Sequence, residues 1–177
     1  VGQAQGAGQQ WVRRRWMGVL ARASTATLEQ AWAALEARPA YDFLRRPEIG
    51  MVMVRARAGG NGQRFNLGEM TVTRCTLRLA AAGPDAGPEQ ALAGTAYVAG
   101  RDARKAELAA VFDALLQDPA RRPALLAAVV EPLAAEQAAA RRAAGARAAA
   151  SKVEFFTVAR EAGEAAGETA GAGESGR

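Results

Sequence analysis

Residues Glu48 to Leu79, EIGMVMVRARAGGNGQRFNLGEMTVTRCTLRL, place the tightest constraint on the fold. Met51–Arg57 has β-branched or long side chains at almost every position, with no glycine or proline inside. That composition fits a pleated strand. Gly59-Gly60-Asn61-Gly62 comes next, and Asn-Gly supplies the two positive-φ residues of a tight type I′ turn. A second extended run reaches from Gln63 to Leu79, with Gly68 expected at a bulge that resets its register. The stretch reads as a β-hairpin. It also gathers charge, with Arg55, Arg57, Arg64, Arg74 and Arg78 set against Glu48 and Glu69. A sheet surface lined with guanidinium groups suits phosphates or an acidic partner.

The remaining constraints come from length, charge and missing residue types. A chain of 177 residues suffices for one domain with a modest core. Much of its apolar content is alanine, which thins that core. From Glu161 onward the chain carries four Glu and one Arg, a net −3, so residues 1–160 carry +8 of the overall +5. A basic body with an acidic tail fits a polyanion or nucleotide partner. The only lysines are Lys105 and Lys152, so the arginine and alanine excess also fits a compositional bias of the source genome. Histidine is absent, which excludes a self-contained histidine triad or histidine-ligated zinc site. The one cysteine, Cys75, lies in a predicted strand and has no partner for an internal disulfide. No apolar run approaches the roughly 20 residues of a membrane span, and the opening Gly/Gln/Ala segment lacks the apolar core of a signal peptide. A soluble cytoplasmic protein is the expectation.

Residues 1–9 have no periodicity and are expected to form a disordered lead to a single domain over 10–160. A first helix is predicted from Gln10 to Arg22, with Val12, Trp16, Val19 and Leu20 on one side. The Arg13–Arg15 run falls mostly elsewhere and reads as a solvated face. Ser24, Thr25 and Thr27 offer caps for a second helix ending at Arg38-Pro39, with Leu28, Trp32 and Leu35 as its stripe. The two form a predicted helical hairpin. Tyr41–Arg46 reads as a short strand, Pro47–Gly50 as a turn, and Gly83–Pro88 as a loop. Thr95–Arg101 reads as a further strand, and Asp102 as the cap of a helix reaching Gln117 with Leu108, Val111, Phe112, Leu115 and Leu116 inward. Asp118-Pro119 stops that helix. Pro123 opens a short one, which Pro132 is expected to break.

Residues 133–150 are nearly all Ala, Arg, Glu and Gln, with Leu133 the one large apolar residue. Propensity makes them a helix of about 27 Å. With so little to bury, it reads as an arm lying on another chain. Lys152–Arg160, KVEFFTVAR, reads as a C-terminal strand, with Phe155 and Phe156 as interface candidates. Residues 161–177 are low-complexity and expected to be disordered. The fold class is therefore α+β. It comprises an antiparallel meander of about four strands, a C-terminal strand, an N-terminal helical hairpin and a C-terminal helical arm.

No paired carboxylates, metal-ligand cluster or nucleophile–base pattern emerges from the residues. Gly59, Gly60 and Gly62 explain themselves as hairpin geometry more readily than as a phosphate loop, because neither a Walker motif nor a GxGxxG helix opening is present. The hairpin arginines have three readings of equal weight: polyphosphate clamps, partner contacts, or a solubilising outer face. Gly100-Arg101-Asp102 joins a strand end to a helix start, where anions bind, although Asp102 reads first as a plain cap. Cys75 reads as a small core residue. Phe65 is the one aromatic among the arginine-rich strands, so base stacking on nucleic acid has little support.

Three segments together carry a family resemblance: ARAGGNGQRFNLGEMTVTRCTLRL at Ala56–Leu79, YVAGRDARKAELAAVFDALLQ at Tyr97–Gln117, and SKVEFFTVAR at Ser151–Arg160. They resemble the PhnG family, the G subunit of the bacterial carbon–phosphorus lyase core complex, and WVRRRWMGVLARA looks like its N-terminal helix more loosely. The resemblance implies a subunit that assembles with H, I and J subunits, chiefly I, and more loosely with ATPase-like subunits. It implies support for an enzyme, inactive alone, that replaces adenine of a purine nucleoside triphosphate such as ATP with an alkylphosphonate. No cofactor is implied for this subunit, since the iron–sulfur and S-adenosylmethionine chemistry belongs to a partner. Arg57, Gly59, Gly60, Gly62, Arg64, Arg74, Arg78, Arg101 and Asp102 match the family pattern and are candidates for anion or partner binding. Arg55 is not a family feature. No catalytic residue follows from the resemblance, and a pure scaffold is the alternative role.

Overall fold

The computed structural model describes residues 2–59, 61–80 and 91–151, with side chains from residue 10 onward. Helices α1 (Gly2–Arg22) and α2 (Thr25–Ala33) precede strands β1 (Tyr41–Arg57), β2 (Arg64–Leu79) and β3 (Ala93–Ala99). Helix α3 (Ala103–Gln117) follows, then α4 (Arg122–Leu125), a π-helical turn at Leu126–Val130, and α5 (Glu131–Ala150). The strands form one antiparallel sheet in the order β1-β2-β3.

Alternation along β2 and β3 sorts the two faces of the sheet. Cys75, Leu77, Leu79, Ala96 and Val98 are buried on the face that α3 covers, while Arg74, Thr76 and Arg78 lie on the other. The expected stripe of α3 is fully inside, and each of its large side chains contributes about 1.5–3 kcal/mol relative to exposure. Trp16, Val19 and Leu20 of α1 and Leu28 of α2 join the same core. Both helices pack against α3 rather than chiefly against one another, so the predicted helical hairpin is instead two separate supports for one central helix.

Among the described residues the sheet has three strands, not the four of the expected meander. The expected turn at Pro47–Gly50 does not form, and β1 runs through it. Pairing steps from Arg45↔Thr76 to Glu48↔Arg74, so β1 spends an extra residue beside Pro47. A bulge on an edge strand needs no ladder donor from proline, which is why the residue is tolerated there. Around Gly68 the expected bulge is present, with β2 spending an extra residue between Gly68 and Asn66.

The hairpin tip also departs from its two-residue turn. The strands end at Arg57 and Arg64, and the Gly62 amide donates to the Ala58 carbonyl at 2.8 Å. Gly59 holds the positive φ of +57°. A Cβ on Gly62 would sit 2.3 Å from the Ala58 oxygen, so that glycine serves a close approach.

Two proline and composition rules also give way. Pro132 does not break the helix, because it occupies the first turn of α5 directly after the widened π turn. The wider turn relieves the clash that a proline ring makes with the preceding carbonyls. The trace of α1 starts at Gly2, over residues expected to be irregular. Once a helix is nucleated, each added residue costs little. α2 ends sooner than expected, at Ala33. Helix α5 is about 30 Å long; Leu133 is buried, and residues 139–150 are exposed all round. The predicted strand at 152–160 with Phe155 and Phe156, the acidic tail, the Gly83–Pro88 loop and Gly60 lie outside the described residues. Among the described residues no helix is long and apolar enough to cross a membrane.

Candidate functional site

The arginines predicted from the hairpin fall into two groups on the sheet. At the tip, Arg57 and Arg64 are cross-strand partners, with Arg55 two residues back. Together with Ala56 they line an open hollow of about 430 Å³. Arg57 donates to the Gly62 carbonyl at 3.3 Å, and among the described residues no carboxylate pairs with Arg55, Arg57 or Arg64.

Nearer the middle of the sheet, Arg74 Nε donates to Glu48 Oε1 at 2.5 Å, and Arg45 reaches the same oxygen at 2.8 Å. Register puts Tyr97 beside Arg74 on one side and Glu48 on the other. Leu44, Arg45, Arg74, Thr76 and Tyr97 line a second open hollow of about 390 Å³. Arg78 lies opposite Asp42 farther along the same face. Sequence reasoning missed Tyr97. The signal was available, because it alternates with the inward Ala96 and Val98.

The Gly100-Arg101-Asp102 step is tied to the helix layer. Gly100 takes φ +88°, and the buried Thr73 hydroxyl donates to its carbonyl at 2.7 Å while accepting from the Asp102 amide at 3.1 Å. Asp102 caps α3 by accepting from the Lys105 amide at 2.9 Å, and takes a second bond from Thr25 at 2.5 Å. The negative group at this helix start is thus the chain's own. Arg101 stands exposed beside it.

The strongest polar cluster was not expected from sequence. Asp113 is fully buried on α3 and accepts from Arg13 Nε at 3.0 Å, Arg13 Nη2 at 2.5 Å, Trp16 Nε1 at 2.9 Å and the Thr95 amide at 3.0 Å. Arg13, predicted to lie on a solvated face, is the charged half of this knot, and the pairing raises its pKa. Cys75 is buried as expected, and burial pushes its thiol up to about 11, far from a reactive thiolate. Among the described residues no three side chains of metal-ligating type gather.

Three carboxylates are held below their ordinary range: Glu48 by Arg74 and then Arg45, Glu29 by Arg104, and Asp102 by Thr25 and the Lys105 amide. A depressed folded-state value means that the unfolded chain binds more protons as pH falls. The stability from these pairs is full above the ordinary carboxylate range, about pH 4–5, and is lost as pH drops through the lowered values. Urea midpoints should therefore be flat from pH 7 to about 5 and decline below that. Glu48→Gln should remove part of the decline.

Fold and surface together define a basic α+β module that carries its arginines on an open sheet. A model of the family described as phosphonate metabolism protein PhnG matches residues 12–161, and the chain belongs to that family. It is 43% identical over 148 residues to the alpha-D-ribose 1-methylphosphonate 5-triphosphate synthase subunit PhnG of Rhizobium meliloti (strain 1021). The match covers 84% of this chain and 88% of that relative.

Proposed function

We propose that the chain is a non-autonomous subunit of a synthase in phosphonate catabolism, and that it mainly docks on and braces the catalytic subunit. In the reaction, the glycosidic bond to adenine breaks at ribose C1 of a purine nucleoside triphosphate, and a phosphonate oxygen takes the vacated position. The near full-length match to a named synthase subunit carries this reading. Its partners are the H, I and J subunits of the carbon–phosphorus lyase core, the I subunit foremost, with ATPase-like subunits more loosely attached. The nucleoside triphosphate is a co-substrate of the assembly. This subunit brings no cofactor, and iron–sulfur and S-adenosylmethionine chemistry resides in a partner.

The bracing role draws support from Arg74, whose guanidinium is already engaged by Glu48. A second reading, in which arginines clamp the triphosphate, is favoured by the tip group, which pairs with no carboxylate among the described residues. Adenine release with methylphosphonate separates them, measured in a reconstituted complex carrying Arg57→Ala or Arg74→Ala after size exclusion. Bracing predicts that activity per assembled complex is unchanged and falls only with assembly. A loss of about 100-fold in a fully assembled complex, the size expected for a charge-stabilising group, would place the arginines in the active site.

A further inference from the structure

We propose that the free half of the β1–β2 ribbon is a docking arm that seats in an apolar slot of another subunit whose mouth is lined with carboxylates. The inference rests on the reading that the chain works inside a complex. β3 pairs with β2 only from Val72 to Arg78, and the Gly100 amide makes a last bond to the Thr71 carbonyl. Beyond that point, among the described residues, β1 and β2 pair only with each other, over about 20 Å.

A lone two-stranded ribbon is marginal in water, and this one faces water with apolar side chains. Ile49, Met51, Met53, Phe65, Leu67 and Met70 are all exposed, Met51 at 67% and Leu67 at 65%. Scattered apolar residues are ordinary on a surface, but here they lie on both faces of one ribbon, Ile49, Met51 and Met53 on one and Phe65 and Met70 on the other, which suits an inserted arm. Edge strands are normally protected by charge or by covering, yet Ile49–Val54 carries no charge. Methionine suits such a surface because its side chain adapts to irregular walls.

Charge identifies the occupant. Arg55, Arg57 and Arg64 crown the apolar length, with Glu69 the one acid between Ile49 and Thr71. A matching partner therefore has an apolar slot with acidic lips. A second copy would bring the same three arginines to face these. A nucleic acid would leave the methionines unmatched.

The test uses the full chain co-expressed with the other synthase subunits, as wild type, Met51→Asp/Met53→Asp, and Arg57→Glu/Arg64→Glu. Both variants should melt alone within a few degrees of wild type, since the altered side chains are exposed, and both should bind the complex about 100-fold more weakly. Hydrogen exchange on wild type gives a second measurement that needs no variant. Amides of 51–57 and 64–71 should exchange quickly in the isolated chain and be protected in the complex. If wild type fails to join, the subunit reading falls and takes this inference with it. If wild type joins and the variants join equally, or the ribbon gains no protection, the arm is overturned while the subunit reading stands. A dimer of the isolated chain that the variants abolish would assign the ribbon to a second copy. Full assembly of the charge-reversed variant with loss of adenine release alone would assign the tip to the active site.

Discussion

Asp113→Ala is expected to destabilise the protein by about 3–5 kcal/mol, the cost of breaking a buried pair from one side. In a chain of this length that corresponds to a drop in melting temperature of about 10 °C. Arg13 can recover water, since its side chain is 42% exposed. The Trp16 indole and the Thr95 amide cannot recover it as easily, and each orphaned donor costs about 1–3 kcal/mol. Asp113→Asn should not restore the native state. An amide oxygen placed to accept from Trp16 leaves the NH₂ facing the donors of both Arg13 Nη2 and Thr95. Arg13→Ala should also be severe, because it leaves a fully buried carboxylate with only neutral donors. Urea unfolding of the three variants checks this. A loss below 1 kcal/mol for Asp113→Ala would show that the knot is not what fixes α1 and β3 to α3.

The reach of each interaction along the chain explains what was legible in the sequence. The hairpin was readable because its signals are local: β-branched runs, a glycine-rich connection, and Gly68 at the bulge. The cap at Asp102 was readable for the same reason, its partner being the amide three residues on. Pro47 misled because a proline stops a central strand but not a bulged edge strand, and edge position belongs to the whole sheet. Pro132 misled because the π turn that accommodates it depends on packing of Val129 and Val130. Asp113 gave no signal at all, since Arg13 and Trp16 lie 100 and 97 residues away.

The candidate site divides along the same line. Which arginines belong to the sheet was visible from spacing, and the resemblance carried by three segments led to the family that matches over 12–161. Their pairing was not visible. Glu48 reaches Arg74 across 26 residues because three register shifts, at Phe43/Arg45, Arg45/Glu48 and Val54/Arg55, lie between them and the strand ends. Arg57 and Arg64, by contrast, meet at the tip because the loop between them is longer than the tight turn expected. That same pairing separates an internally matched arginine from two that face outward.

Gly94→Ala is expected to be nearly as damaging as loss of Asp113, for a purely steric reason. Gly94 is buried where β3 crosses α3, and a Cβ there would lie 1.9 Å from the Ala110 carbonyl oxygen and 2.7 Å from the Ala114 nitrogen. Both are backbone atoms, so no rotamer change relieves the clash and α3 itself has to move. Overpacking of this kind costs about 1–3 kcal/mol and occasionally more. The upper end is expected here, because moving α3 also stretches the bond from the neighbouring Thr95 amide to Asp113. Adding Ala114→Gly should rescue little, since the Ala114 Cβ at 2.9 Å is the least of the three contacts. Gly145→Ala is the matched control: nothing lies within 4 Å of its added carbon, and in mid-helix alanine should gain about 0.5–1 kcal/mol. Because Gly94 and Asp113 hold one seam, the double variant Gly94→Ala/Asp113→Ala should lose less than the two single losses combined. Full additivity in urea unfolding would mean that the steric fit and the carboxylate knot act on separate parts of the fold.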